Sequence, residues 1–329
     1  MRKTAREVQK QELEKRYAAL IDDHHAAYNQ LNSSVDEVES RRIKRRIQVL
    51  EEEMSTVWEL LEVSDMSSPS TRHKLLEEHL PKMDFKEVVE ITKARLGLGG
   101  GPGNAAVFLI QNSNAMGGIW CISRIHSLLL EEAREVKRYP VGFSLEGQVD
   151  EWGFLNKLAS HVGVVREFRD LNDYAREIIR TISDSLTTGS TAIIEVSRWD
   201  LVYPQGRVLN WLVNDFWVPF VRELNNILER RRKVRLVLII TVDAEIPREH
   251  LTPIICCAPA EELHTEKIIE LSLQKWTRGE IKEWLECFTE FEGLQIDRIT
   301  EIIYGSSQNG IPSLVHSALL THVFQGAKI

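Results

Sequence analysis

Asn104-Ala-Ala-Val-Phe-Leu-Ile-Gln-Asn-Ser-Asn-Ala-Met-Gly-Gly-Ile-Trp-Cys-Ile-Ser-Arg-Ile-His-Ser-Leu-Leu-Leu130 is the stretch on which the fold turns. Ala105 through Ile110 is short, uncharged and rich in branched residues, which predicts a buried strand. Gln111 through Gly118 has turn chemistry, and from Ile119 to Leu130 apolar residues recur at helical spacing. Strand, glycine-bearing loop and helix together form the layout that holds phosphates on backbone N–H groups at a helix N-terminus. That chemistry also requires a lysine for the terminal phosphates and a Ser or Thr for Mg²⁺, in the spacing G-x-x-x-x-G-K-[ST]. With Gly117 at the second glycine, Asn112 stands at the first, Gly118 at the lysine and Ile119 at the hydroxyl. The scaffold is kept and its charges are gone. An Ile at that place is expected to pack, since it no longer faces a metal.

Outward from this stretch, strands and helices alternate. Tyr139–Phe143, Thr191–Val196, Val234–Val242 and Ile268–Leu273 read as strands. Helices are expected over 150–160, 172–187 and about 207–230, and then over 277–287, 296–304 and 312–324. Such alternation implies a mostly parallel sheet with helices on both faces, and the purely helical end reads as a small lid. Trp199, Trp211, Phe216, Trp217 and Phe220 are read first as core. Trp211 and Trp217 face different sides of an α-helix, so one of them is expected at the surface. Upstream, helices are expected at 70–80 and 84–96, broken by Pro81. Gly97-Leu-Gly-Gly-Gly-Pro-Gly103 precedes the strand and lacks G-x-G-x-x-G spacing, so it reads as a connector.

Residues 5–63 read as an antiparallel helical hairpin. Leu13, Tyr17, Leu20, His24, Ala27 and Leu31 follow a 4-3-4-3-4 spacing, and Ile43, Ile47, Leu50, Met54, Val57 and Leu61 repeat it. Asn32-Ser33-Ser34 supplies the turn between them. A two-helix hairpin buries little by itself, so these seams are the candidate partner-binding residues.

A net charge of −8 over 329 residues argues against a general binder of nucleic acid or anionic membrane. The clusters Arg41–Arg46 and Arg230–Lys233 read as solvated helix faces and ends rather than phosphate sites. No run approaches the roughly 20 apolar residues of a membrane span, so a cytoplasmic protein is expected. Cys121, Cys256, Cys257 and Cys287, even with His264 nearby, fit no zinc spacing, so no metal is expected.

The order of these elements resembles the signal-transduction ATPases with numerous domains (STAND), a branch of the P-loop ATPases related to AAA+. Residues 112–119 lie at the Walker A place, Ala192–Val196 at Walker B, and Val234–Asp243 at the sensor strand. Ile269–Trp276 resembles the lead-in to the lid, and Gly310-Ile311-Pro312 the Gly-x-Pro that begins a lid helix. The acidic positions are degenerate as well: Glu195 lies inside its strand, Asp200 lies beyond it, and Asp243 takes the place of a basic residue. The resemblance therefore implies an inactive STAND domain without cofactor, preceded by an effector-association coil, as in bacterial and especially cyanobacterial conflict systems. It divides the chain into a hairpin (1–64), a helical linker (65–104), a degenerate P-loop NTPase-like α/β core (105–273) and a helical lid (274–329).

The function expected on this basis is a non-catalytic sensor or adaptor whose partners are proteins, reached through the coil or by self-association of the coil. Two alternatives stand beside it: an active NTPase with an atypical P-loop, and an AAA+-like nucleic-acid-associated regulator. Ser160, His161 and Asp170 are close in sequence but have no nucleophile elbow, so a hydrolase is not expected.

Overall fold

In the computed structural model the chain divides into two compact units, Met1–Leu76 and Glu77–Ile329. The described residues are 20, 43, 46, 49, 50 and 76 of the first unit and 78–324 of the second, with breaks at 84, 101–102, 145–146, 166–169, 230, 256–264, 290 and 292. In the first unit Leu20, Ile43 and Leu50 are helical and buried. The other seam residues, Leu13, Tyr17, His24, Ala27, Leu31, Ile47, Met54, Val57 and Leu61, lie outside the described residues, as do Cys256, Cys257 and His264.

The second unit is built on five parallel strands: β1 (Ala105–Ile110), β2 (Glu135–Gly142), β3 (Ser190–Ser197), β4 (Arg235–Thr241) and β5 (Ile268–Glu270). Their spatial order is β2-β3-β4-β1-β5, so β4 is inserted between β1 and β3. Ala105 pairs with Leu236 and Thr191 with Arg235, which brings the ends of the three central strands level. Every residue of β1 and β4 is buried, as expected of strands covered on both faces. At the edge, β2 carries Arg138 exposed and Pro140 in mid-strand, features that keep an open edge from pairing with another chain. Its charges hide its first residues from a search for apolar runs, which finds only Tyr139 onward.

The helices are α1 (Lys86–Arg95), α2 (Gly118–Glu132), α3 (Glu151–Val162), α4 (Leu171–Ser185), α5 (205–228), α6 (Arg278–Phe288), α7 (Leu294–Ser306) and α8 (Pro312–Leu319). Their starts are written in the sequence. Asp150 accepts from Gly153 N, Asp170 accepts from the amides of Asn172 and Asp173, and Thr277 forms a capping box with Glu280.

One face of the sheet, through Val107, Ile194 and Leu238, packs against α3, α4 and α5 in the main core. Within α5 the stretch Leu212–Trp217 widens into a π-turn, which changes the angular step between successive side chains. Both Trp211 and Trp217 are buried there, contrary to the expectation that one of them is exposed. Trp217 Nε1 donates to Thr265 O at 2.7 Å, and Phe154 meets Phe216 edge-on at 5.0 Å. The other face is covered by α1 and α2, with α6–α8 folded on one another at its end.

Candidate functional site at the loop after β1

β1 delivers the chain to Gln111, whose side chain joins three loops. Its Nε2 donates to Glu270 Oε1 at 2.7 Å, and its Oε1 accepts from Ile246 N at 2.6 Å. Asn112 has a left-handed backbone (φ 53°), and its Nδ2 donates to Glu245 Oε1 at 3.2 Å. Ser113–Met116 then coils into a single helical turn instead of an open cradle. The amides of this region are engaged within the protein. Ser113 N donates to Val242 O, Met116 N to Asn112 O, and Trp120 N and Cys121 N to Gly117 O. Phosphate-holding loops keep such N–H groups directed at the ligand.

Gly118, at the place of the missing lysine, decides what the loop can hold. A Cβ at Gly118 would overlap Ser113 Oγ outright and stand 3.0 Å from Ser113 Cα. Ser113 thus leaves no room for a side chain at this position, lysine included. Ile119, the next residue, is 66% exposed at the start of α2. This corrects the expectation that Ile119 packs. The neighbouring Trp120 takes the inward direction, and the two point to different sides of the first helical turn.

Trp120 lies between the loop and the C-terminal helices. Its ring centroid is 5.5 Å from that of Trp276 and 5.4 Å from His316. A Cβ at Gly117 would come within 3.2 Å of Pro312, the first residue of α8. Trp276 N donates to Gly310 O at 2.8 Å, and Gly310 (φ 90°) approaches so closely that a Cβ would overlap the Trp276 carbonyl. Gly310-Ile311-Pro312 therefore clamps the helical end directly onto the degenerate loop.

The acidic positions are engaged in protein contacts as well. Asp200 follows β3, and its carboxylate accepts from Asp243 N (2.9 and 3.1 Å) and Ala244 N (3.0 Å), fixing the loop after β4. Asp243 itself is exposed and takes part in that link through its amide. Glu195 accepts from Arg138 Nε and Nη2 at 2.7 and 2.9 Å, and His126 Nε2 lies 3.1 Å from the same carboxylate. Burial raises the Glu195 pKa, but His126 and Arg138 more than offset it and hold the carboxyl at about 2. Asp200 and Glu195 are thus each held by different protein neighbours.

A cleft of about 790 Å³ opens beside the loop, walled by α1, by the loop after β4 and by β5. Among the described residues its carboxylates, Glu87, Glu245 and Glu270, outnumber its cations, Arg95 and Arg248, and no lysine lines it. That donor set does not fit a nucleoside triphosphate with its metal. Among the described residues no group of three or more His, Cys, Asp or Glu could hold a metal ion. Cys121 is buried, which pushes its thiol up to about 12 and makes it inert; Cys287 is exposed.

Ser160, His161 and Asp170 have separate duties: Ser160 Oγ donates to Lys157 O, His161 Nε2 contacts Pro140 O, and Asp170 caps α4. The Trp120–Trp276–His316 cluster and the Gln111 bridge are invisible to periodicity, because their members are distant in sequence. The one available signal was Gly310-Ile311-Pro312, whose glycine shows that some backbone comes close.

Residues 3–62 match the model of Effector-associated domain 9, and residues 80–242 match the model of the inactive STAND domain. The chain is an effector-associated domain joined to an inactive STAND domain. No curated protein matches it. Among solved structures it is similar to Cdc6p from Pyrobaculum aerophilum (11% identity, TM-score 0.43, covering 74% of this chain and 62% of that one). The chain thus spans less than two thirds of that Cdc6p chain. It is also similar to domain III of the Thermotoga maritima replication initiation protein DnaA (12%, 0.37, 74% and 86%). A further similarity is to Saccharomyces cerevisiae Rif2 (10%, 0.37, 78% and 93%). The P-loop-type fold of this inactive STAND domain is read from its own strand order, β2-β3-β4-β1-β5. Among the described residues no helix is long and apolar enough to cross a membrane.

Proposed function

We propose that this non-catalytic STAND-type signalling module is an adaptor or sensor of a bacterial conflict system, without ATPase activity, and that its N-terminal effector-associated coil docks a separate effector protein. The observation that carries the loss of catalysis is Gly118. Its Cβ space is filled by Ser113, so the loop has no room for the cation that phosphoryl transfer needs. Asp200 and Glu195, tied to backbone amides and to Arg138, support the same reading.

The test is ATP turnover by the full chain with Mg²⁺. None is expected, and turnover that is lost in Asp243→Asn or Glu195→Gln would overturn the reading in favour of an atypical NTPase. For the coil, light scattering on the full chain and on residues 77–329 is expected to give the same oligomeric state. A smaller assembly after the deletion would instead make the coil a self-association element.

A further inference from the structure

A groove of about 340 Å³ lies where α6 faces α1 and α2, and none of its lining residues belongs to the loop after β1. Residues 280, 283, 284, 287 and 288 follow helical spacing, so one face of α6 forms a wall of it. Its floor is aromatic. Phe85, Trp284 and Phe288 reach it, joined by Met83 and Val89. Trp284 is held through Nε1, which donates to His79 O at 3.0 Å, and the His79 ring stacks on Phe288 at 4.5 Å. The two rings of α6 are thus fixed by the protein itself, with centroids 5.4 Å apart.

Three cations and three carboxylates line the groove, and most of them have partners. Glu280 accepts from Thr277 N at 2.6 Å in the capping box, and Glu90 lies 3.5 Å from Lys93. Lys82 Nζ stands 3.1 Å from His79 Nδ1 and 5.3 Å over the Phe288 ring, and Lys86 is engaged as well. Arg124 differs. It projects from α2 one turn after Trp120, is half-buried, and has no hydrogen bond or ion pair among the described residues. A guanidinium keeps its charge at any ordinary pH, and one drawn out of water is normally paired. Glu283 is also without a partner among the described residues, but it is exposed and water solvates it.

We propose that this groove binds a small planar organic carboxylate, with its ring on Trp284 and Phe288 and its carboxylate on Arg124. The guanidinium fork takes two carboxylate oxygens at once, and a flat ring gains from offset contact with the aromatic floor. One turn of a peptide helix, about 10 Å across and about 5.4 Å long, exceeds the volume of the groove, so the occupant is a small molecule. A ligand seated there touches α1 and α2 beside the sheet and α6 of the helical end together, and its occupancy ties the two.

Titration calorimetry on the full chain at pH 7 and fixed ionic strength tests the assignment, with indole-3-acetate, indole and tryptamine as probes. One ring system then carries a negative charge, none and a positive charge. Indole-3-acetate is expected to bind saturably, with indole and tryptamine weaker by about tenfold or more. Arg124→Gln is expected to bring indole-3-acetate down to the level of indole. Arg124 has no partner to lose and Gln suits a helix, so this variant folds. Cys287→Trp, at an exposed position on the wall, is expected to fill the groove and block binding. Absence of saturable indole-3-acetate binding at millimolar concentration overturns the proposal. So does an affinity that Arg124→Gln or Cys287→Trp leaves unchanged, or one that indole or tryptamine equals. The groove shares no residue with 112–119, so this outcome is separate from that of the ATP-turnover test.

Discussion

The two ends of the sheet have opposite characters. At the carboxyl ends of the strands, where a P-loop fold holds its nucleotide, the polar groups already have partners. Gln111 joins three loops, Asp200 holds two amides, and Gly118 has no room for a side chain. At the amino ends, Arg235 is buried with one nitrogen unmatched beside a glycine-rich loop. The contrast teaches that an ancestral site is not emptied by losing its charged residues alone. Its remaining donors and acceptors are drawn into contacts that hold loops together, because a polar group buried without a partner costs about 1–3 kcal/mol.

The sharpest way to break this comparison is to restore the lysine. Gly118→Lys is expected to destabilise the protein by about 3 kcal/mol or more, since the clash is with Ser113 near the backbone. Urea unfolding measures it, and Ser113→Gly in the same chain should recover part of the loss. A Gly118→Lys protein as stable as the parent would show that the loop can still open.

Acid is the next largest perturbation. The Glu195 carboxyl is held at about 2 against an ordinary value near 4.5, so its contribution is complete above about pH 4.5 and fades as pH falls toward 2. Glu195→Gln should therefore lower the unfolding free energy measured in urea at pH 7, by an amount on the order of 2 kcal/mol, and narrow its gap from the parent as pH drops through that window. A gap that stays constant down to pH 3 would mean that Arg138 and His126 contribute nothing through charge.

Asp200→Ala removes the acceptor for the amides of Asp243 and Ala244, and a loss of about 1 kcal/mol is expected, as for a helix cap. Hydrogen exchange should quicken at those two amides while the β4 core stays protected. The smallest effect belongs to the other end of the sheet. Lys233→Asn should change stability by no more than about 0.5 kcal/mol, because the residue is exposed and its backbone suits asparagine.

The central strands were legible because a strand covered on both faces is an uninterrupted apolar run, as in Ala105–Ile110. Arg235 is the one charge inside Val234–Val242, and its burial is set by neighbours at Leu96 and Glu132 that no spacing encodes. Other features depend on contacts that no spacing encodes. The π-turn in α5 buries Trp211 and Trp217 together, and Trp120 displaces Ile119 from the interior because Trp276 and His316 arrive from far along the chain. Gly117 and Gly118 announced a turn. That Ser113 fills the lysine's place depends on how tightly 113–116 coils, which only the backbone reveals.

The indole pair at the clamp gives the molecule an optical reporter of its own. Trp120 and Trp276 belong to opposite sides of the joint between α2 and the C-terminal helices, with ring centroids 5.5 Å apart. At that range their transitions couple, and both rings are shielded from water. Any partner that lifts the helical end from the loop separates the chromophores and wets them. A red-shifted emission and a weakened exciton signal in circular dichroism would then follow signalling in the unlabelled protein.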